Sequence, residues 1–243
     1  MQAFFGKELR KAEQAMKRLL LLIVPLILAG CVETTSPQAP RMLAMGDSMM
    51  AAHGISNRAI SDVIAKELGE PVVDRSVVGA RIIYALPLTG AVGFNIGKQY
   101  RGGQYDWIIA NGGGNDIWLA CGCTGCKRKL DRLVSADGKS GEIPELVTRL
   151  QTSGGQILWL GYLRTPGKGS PIESCAEEGN ILEERLQKLA AKRKGFHYLS
   201  MADLVPNGDL SYHGLDRIHP SIKGSAAIGK RAANYIRRVD PTR

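Results

Sequence analysis

Short apolar runs alternate along the chain with stretches in which apolar residues recur every three or four positions. Runs at 42–45, 72–78, 107–110, 157–160 and 196–199 have strand length and are bounded by glycine, proline or polar residues. Between them Ile60, Val63, Ile64 and Leu68 fall at helical spacing, as do Leu146, Val147 and Leu150, and then Leu182, Leu186 and Leu189. Strand followed by helix, repeated, predicts an α/β fold in which a parallel sheet is covered by helices. A last helix is predicted over 221–239, with Ala226, Gly229 and Ala233 small enough for close packing on the sheet and Arg237 and Arg238 placed to complement its dipole. The stretch 86–103 carries no clear period and is expected to be a loop with a short helix around 96–100. No internal repeat or low-complexity tract is present.

The first 30 residues differ from the rest. Lys7, Arg10, Lys11, Lys17 and Arg18 precede an apolar run at 19–29, the profile of a secretory signal peptide. The run falls short of the roughly 20 residues that a spanning helix needs, and Pro25 interrupts it. It ends in Leu28-Ala29-Gly30-Cys31, which resembles the lipobox of bacterial lipoproteins. That resemblance implies cleavage before Cys31, lipidation of Cys31 and a membrane-anchored lipoprotein of the bacterial cell envelope, facing the periplasm or exterior. Met16-Lys17-Arg18 would by itself open such a signal, so the start at Met1 or Met16 stays open. Residues 32–40, VETTSPQAP, lack apolar periodicity and carry two prolines, as a tether would. The expected organisation is a signal peptide over 1–30, a tether over 31–40 and one domain over 41–243.

Charge changes this picture little. The chain carries a formal net charge of +9, and beyond residue 30 it holds 27 Lys+Arg against 21 Asp+Glu. With only 6% aromatic residues and no interleaving of base-stacking rings among the cations, nucleic-acid binding is not expected. Cysteine says more. Apart from Cys31 there are Cys121, Cys123, Cys126 and Cys175, an even number that in an exported domain points to two disulfides with three possible connectivities. The C-x-C-x-x-C cluster with Cys175 would alternatively ligate zinc; oxidation is the expected state, with Cys175 tying its loop to the 121–126 loop, because Cys121 and Cys123 are too close in sequence to pair.

Candidate chemistry gathers where strands end. Ligands of open parallel sheets bind beyond the carboxyl ends of the strands. Gly46-Asp47-Ser48 follows the first predicted strand, Gly79 the second, and Gly112-Gly113-Gly114-Asn115-Asp116 the third, while Asp216-Arg217-Ile218-His219 precedes the last helix. A serine hydroxyl becomes a useful nucleophile when an imidazole takes its proton, and a carboxylate three residues before that imidazole can hold its tautomer. Taken singly, each piece has a plainer reading as a helix cap, turn glycine or loop hydrogen bond. Asp47 and Asp116 flank these positions without a role in such chemistry and are read as structural.

In this order the four pieces resemble the blocks of the SGNH/GDSL hydrolases over residues 42–239. The resemblance implies a three-layer αβα sandwich with a five-stranded parallel sheet, flavodoxin-like in outline, and a serine esterase that uses no metal or organic cofactor. It implies Ser48 as nucleophile, His219 as base and Asp216 as its partner, with the backbone N–H groups of Ser48 and Gly79 and the side-chain amide of Asn115 as oxyanion donors. Met49-Met50 and the adjacent cysteine-rich loop depart from the family pattern; with Ile117, Trp118 and the 162–166 loop they are expected to shape the acyl pocket. The expected substrate is an ester with a small acyl or acetyl group, on an envelope glycan or a lipid, and the expected state is a monomer. A non-catalytic glycan-binding or structural lipoprotein, and an acyl transferase using the same residues, are the competing readings. No G-x-S-x-G elbow occurs, and the stretch from Gly93 to Lys98 is not a P-loop. His53, His197 and His213 read as packing residues, His213 being the nearest rival to His219.

Overall fold

A computed structural model describes residues 40–167 and 169–243. The signal peptide, the lipidation at Cys31 and the tether expected from the sequence fall on residues up to 39 and on Pro40, and all but Pro40 lie outside the described residues.

Five parallel strands form one sheet in the order β2-β1-β3-β4-β5, with β1 at Met42–Met45, β2 at Val72–Asp74, β3 at Trp107–Ala110, β4 at Gln156–Leu160 and β5 at Phe196–Leu199. The helices are α1 (Ser48–Ala51), α2 (Ile60–Leu68), α3 (Gly114–Cys121), α4 (Lys127–Leu133), α5 (Glu142–Leu150), α6 (Ala176–Lys192) and α7 (Ile222–Val239). Successive strand side chains point to opposite faces, and the core divides accordingly. Leu43, Met45, Ile108, Ile157 and Trp159 meet Leu133, Ile143, Val147, Leu150, Leu182 and Leu186 from α4, α5 and α6. Met42, Ala44, Trp107, Ile109 and Leu158 meet Ile60 and Ile64 of α2 and Ile228, Ala232 and Ile236 of α7. The result is the expected three-layer sandwich. Each fully buried Leu or Ile side chain in these layers contributes about 1.5–3 kcal/mol.

One boundary, the content of one loop and one packing contact differ from the sequence reading. The second strand stops at Asp74 instead of running to residue 78, because the Asp74 carboxylate accepts from the Ser76 N–H (2.8 Å) and turns the chain. The 86–103 stretch holds a turn of helix at Pro87–Thr89 and a 3₁₀ turn at Ile96–Lys98. Gly229 of α7 lies against α2 rather than the sheet: a Cβ there would come within 2.6 Å of Val63 Cβ. Ser221, as foreseen at the start of the last helix, caps α7 by accepting from the Gly224 N–H.

From β1 the chain crosses to β2 on one side and returns to β3 on the other. The carboxyl ends of β1 and β3 therefore flank a topological switch point, the place where an open α/β sheet leaves a crevice.

Candidate active site

At the end of β1 the chain turns through Gly46 (φ +153°) into Asp47, which caps α1 by accepting from the Met49 N–H at 3.0 Å. Ser48 is the first residue of α1. Its placement rests on a buried polar lattice. Asn111, directly after β3, accepts from the Asp47 N–H (3.0 Å) and donates through Nδ2 to Asp47 Oδ1 (2.8 Å). Tyr162, just beyond β4, donates its hydroxyl to Asp47 Oδ2 at 2.5 Å and accepts from the Gly114 N–H at 3.0 Å. Gln99 receives the Gly46 N–H at 2.6 Å and returns a bond to the Gly46 carbonyl at 2.8 Å. Gly46 is required here because a Cβ would lie 1.8 Å from Asn111 Oδ1.

Burial pushes the Asp47 carboxyl upward from the ordinary aspartate range, while hydrogen bonds from Tyr162, Asn111 and Met49 pull it back. Burial and the neighbouring Asp47 charge hold the Tyr162 hydroxyl well above its ordinary value, so it stays a donor. The reading of Asp47 as structural agrees with these contacts, and they show what it supports: the turn that presents Ser48. Asp116, in the first turn of α3 after β3, has a matching task. It accepts from the N–H groups of Ile82 (2.9 Å) and Ile83 (2.8 Å), docking the segment after Gly79, and burial raises it from the usual aspartate value to about 6 against the pull of those two bonds.

Across the crevice His219 Nδ1 meets Asp216 Oδ2 at 2.6 Å. The other oxygen of Asp216 accepts from the N–H groups of Ile218 and His219, both at 3.0 Å. Burial raises the Asp216 carboxyl, but the ring and backbone donors outweigh it and leave it below its ordinary value. The loop is anchored further by His53, whose Nε2 donates to the Pro220 carbonyl at 3.0 Å. A carboxylate on Nδ1 leaves Nε2 as the ring atom available for proton transfer.

Ser48, Asn115 and His219 border one cavity of about 160 Å³. Asn115 donates through Nδ2 to the Ala80 carbonyl at 3.0 Å. Gly79 (φ +76°) stands in the adjoining turn, closed by the Ala80 N–H on the Val77 carbonyl, but it is not in the cavity wall. The wall includes Met49, Ile117, Trp118 and residues 162–165, as expected for the pocket; Met50 instead points into the core. The cysteines pair as Cys121–Cys126 and Cys123–Cys175, the second tying the 175 loop to the cysteine-rich loop. With all four sulfurs bonded, no thiolate is left for the zinc alternative, and the described residues contain no group of three or more His, Cys, Asp or Glu able to hold a metal. His197 sits between Tyr235 and Gln156, and His213 is buried away from the cavity wall, its imidazole pushed down by burial.

Sequence reasoning missed Asn111, Gln99 and the role of the Tyr162 hydroxyl. Asn111 carried a usable signal, a polar residue directly at the carboxyl end of a strand. Gln99 carried none.

Solved structures with this fold include a candidate SGNH hydrolase from Slackia heliotrinireducens (18% identity, TM-score 0.56, covering 81% of this chain and 98% of that one). A carbohydrate acetylesterase family member from Sinorhizobium meliloti matches at 16% identity and TM-score 0.57 over 82% of this chain and 98% of its own. An acetyl xylan esterase, Est2A, from Butyrivibrio proteoclasticus matches at 16% identity and TM-score 0.54, covering 84% of this chain and 65% of that one. This chain thus spans slightly less than two thirds of that esterase. Comparison with curated protein sequences gives no match. The model of the GDSL-like lipase/acylhydrolase family matches residues 44–227, from within β1 to within α7. The chain belongs to the GDSL-like lipase/acylhydrolase family, and its fold is that of the SGNH hydrolases.

Proposed function

We propose that the protein is a serine esterase that cleaves a carboxylic ester bearing a small acyl group through an acyl-Ser48 intermediate. The observation that carries this reading is the 2.6 Å bond from His219 Nδ1 to Asp216, with His219 and Ser48 on the wall of one cavity. Ser48 Oγ attacks the ester carbonyl carbon while its proton passes to His219 Nε2. The tetrahedral intermediate expels the alcohol, which takes that proton, and leaves the acyl group on Ser48. Water then adds to the acyl carbon, gives a proton to His219, and the carboxylic acid departs as Ser48 regains its hydrogen. The Ser48 and Gly79 N–H groups and the Asn115 amide are the proposed donors to the transient oxyanion, where each such donor contributes about 10²–10³ in rate.

The substrate proposed is an acylated envelope glycan or a lipid ester; the acetyl xylan esterase and carbohydrate acetylesterase neighbours support the glycan choice. The proposed location is the bacterial cell envelope, on a lipid anchor at Cys31. The purified protein should hydrolyse p-nitrophenyl acetate and butyrate, and Ser48→Ala should abolish both; equal rates for the two proteins would overturn the reading. Cys31→Ser should move the protein from the membrane to the soluble fraction.

A further inference from the structure

The cavity beside Ser48 is far more apolar than an acetyl group on a sugar needs. Its lining includes the apolar side chains Met49, Ile117, Trp118, Leu163, Ile172 and Leu182, and beside Ser48, Asn115 and His219 the polar groups on it are Asp47, Tyr162, Arg164 and Thr165. Its volume is about 160 Å³, close to that of an apolar cavity of about 150 Å³ that takes up benzene. Of these polar groups, Arg164 is already paired with Glu183, and Asp47 with the Tyr162 hydroxyl. A sugar ring placed among the apolar side chains would leave most of its hydroxyls without partners, at a cost for each. An acyl chain has none to satisfy.

We infer that this cavity is the acyl pocket and that it selects a hydrophobic acyl group larger than acetyl, of about five to eight carbons or a single aromatic ring. This inference rests on the Ser48 esterase reading and sets the upper part of its small-acyl range. The polar alcohol, sugar or glycerol-like, stays outside at the cavity mouth. Each methylene added inside raises kcat/KM about fourfold, from the transfer of one buried CH₂, until the cavity is full.

One wall is tied down by a disulfide. Ile172, Cys175, Ala176 and Gly179 border the cavity at the start of α6, and the Cys123–Cys175 disulfide ties this stretch to the loop after α3. Gly179 offers a direct handle. A Cβ built on it meets no other atom within 4 Å, so a larger side chain there enters open space on the cavity wall, and replacing a helical glycine favours the helix. Gly179→Leu therefore shortens the pocket without disturbing the core.

The test is a p-nitrophenyl ester series from acetyl to dodecanoyl, with a second series of acetyl esters in which only the alcohol grows from one to eight carbons. The protein, its Ser48→Ala variant and Gly179→Leu are compared, with thermal melts as a check on folding. The expected result is a kcat/KM that rises a few hundredfold, about fourfold per methylene, from acetyl to hexanoyl and falls beyond octanoyl. Gly179→Leu should move the optimum to butyryl or shorter. An optimum at acetyl, or a rate set by the length of the alcohol, would overturn the acyl-pocket inference and leave the esterase intact. Hydrolysis that persists unchanged in Ser48→Ala would overturn the esterase reading itself. Should Gly179→Leu fold poorly, the series on the unmodified protein decides alone.

Discussion

Tyr162→Phe removes one oxygen and keeps the ring, which makes it a sharp probe of how Ser48 is held. The hydroxyl makes two bonds, donating to Asp47 Oδ2 and accepting from Gly114 N–H. The first supports the cap of the helix that begins with Ser48, and the second fixes the backbone beside Asn115. Losing a bond to a buried charged group and leaving a buried N–H without its partner costs about 2–4 kcal/mol in total. For a domain of this size that corresponds to a fall in Tm of roughly 4–16 °C, within the usual 5–15 kcal/mol reserve of a folded domain. Since the bridge spans the nucleophile turn and the Asn115 turn, a shift approaching 1 Å is expected there, and kcat should drop by up to about 10². Urea unfolding followed by tryptophan fluorescence and steady-state hydrolysis of a p-nitrophenyl ester measure both effects. A Phe variant within about 0.5 kcal/mol of the parent and within about twofold in kcat would show that the bridge positions nothing.

Three other substitutions test separate parts of the structure. Gly46→Ala forces Asn111 out of its two bonds to Asp47; it should destabilise the protein by about 3–6 kcal/mol, and a denaturation midpoint matching the parent would refute the packing argument. Asp216→Asn keeps an oxygen for the Ile218 and His219 N–H groups but loses the charge facing His219 Nδ1, so kcat should fall on the order of 10³–10⁴ while the melting curve barely moves; a normal kcat removes Asp216 from the machinery. Asp116 titrates at about 6 in the fold against an ordinary 3.8. Between those values the folded state binds more protons than the unfolded chain, so stability falls as pH rises through the window, by roughly 3 kcal/mol. Asp116→Asn should flatten the profile between pH 4 and 6, and an unchanged slope would assign it elsewhere.

The sheet was legible because its strands carry continuous apolar runs, and four of the five ended near where their residues suggested. The second did not, because Asp74 and Ser76 form a local turn that hydrophobic periodicity does not register. Helices α3 and α4 were hidden for a related reason. Gly112 to Gly114 and the cysteines at 121, 123 and 126 mask an apolar stripe of Ile117, Leu130 and Leu133 that becomes visible only once those residues share a core. At the site, the residues carrying chemistry were readable from their order and position after strands. Their supports were not: Gln99 reaches Gly46 across 53 positions and Tyr162 reaches Asp47 across 115, distances over which a single sequence leaves no local trace.

Neither disulfide belongs to the lattice beneath Ser48; Cys121–Cys126 closes a short loop, and Cys123–Cys175, which closes a loop of 52 residues, brings a residue of the cavity wall against the core. Closing a loop of that length contributes about 4 kcal/mol in the chain-entropy picture by restricting the unfolded chain, and in the fold the same bond pins Cys175 of the cavity wall to the loop after α3. Material produced in a reducing cytosol would therefore carry an intact nucleophile behind a slack wall and give misleading selectivity data. The oxidation state of the preparation is, in effect, an experimental variable of the substrate profile.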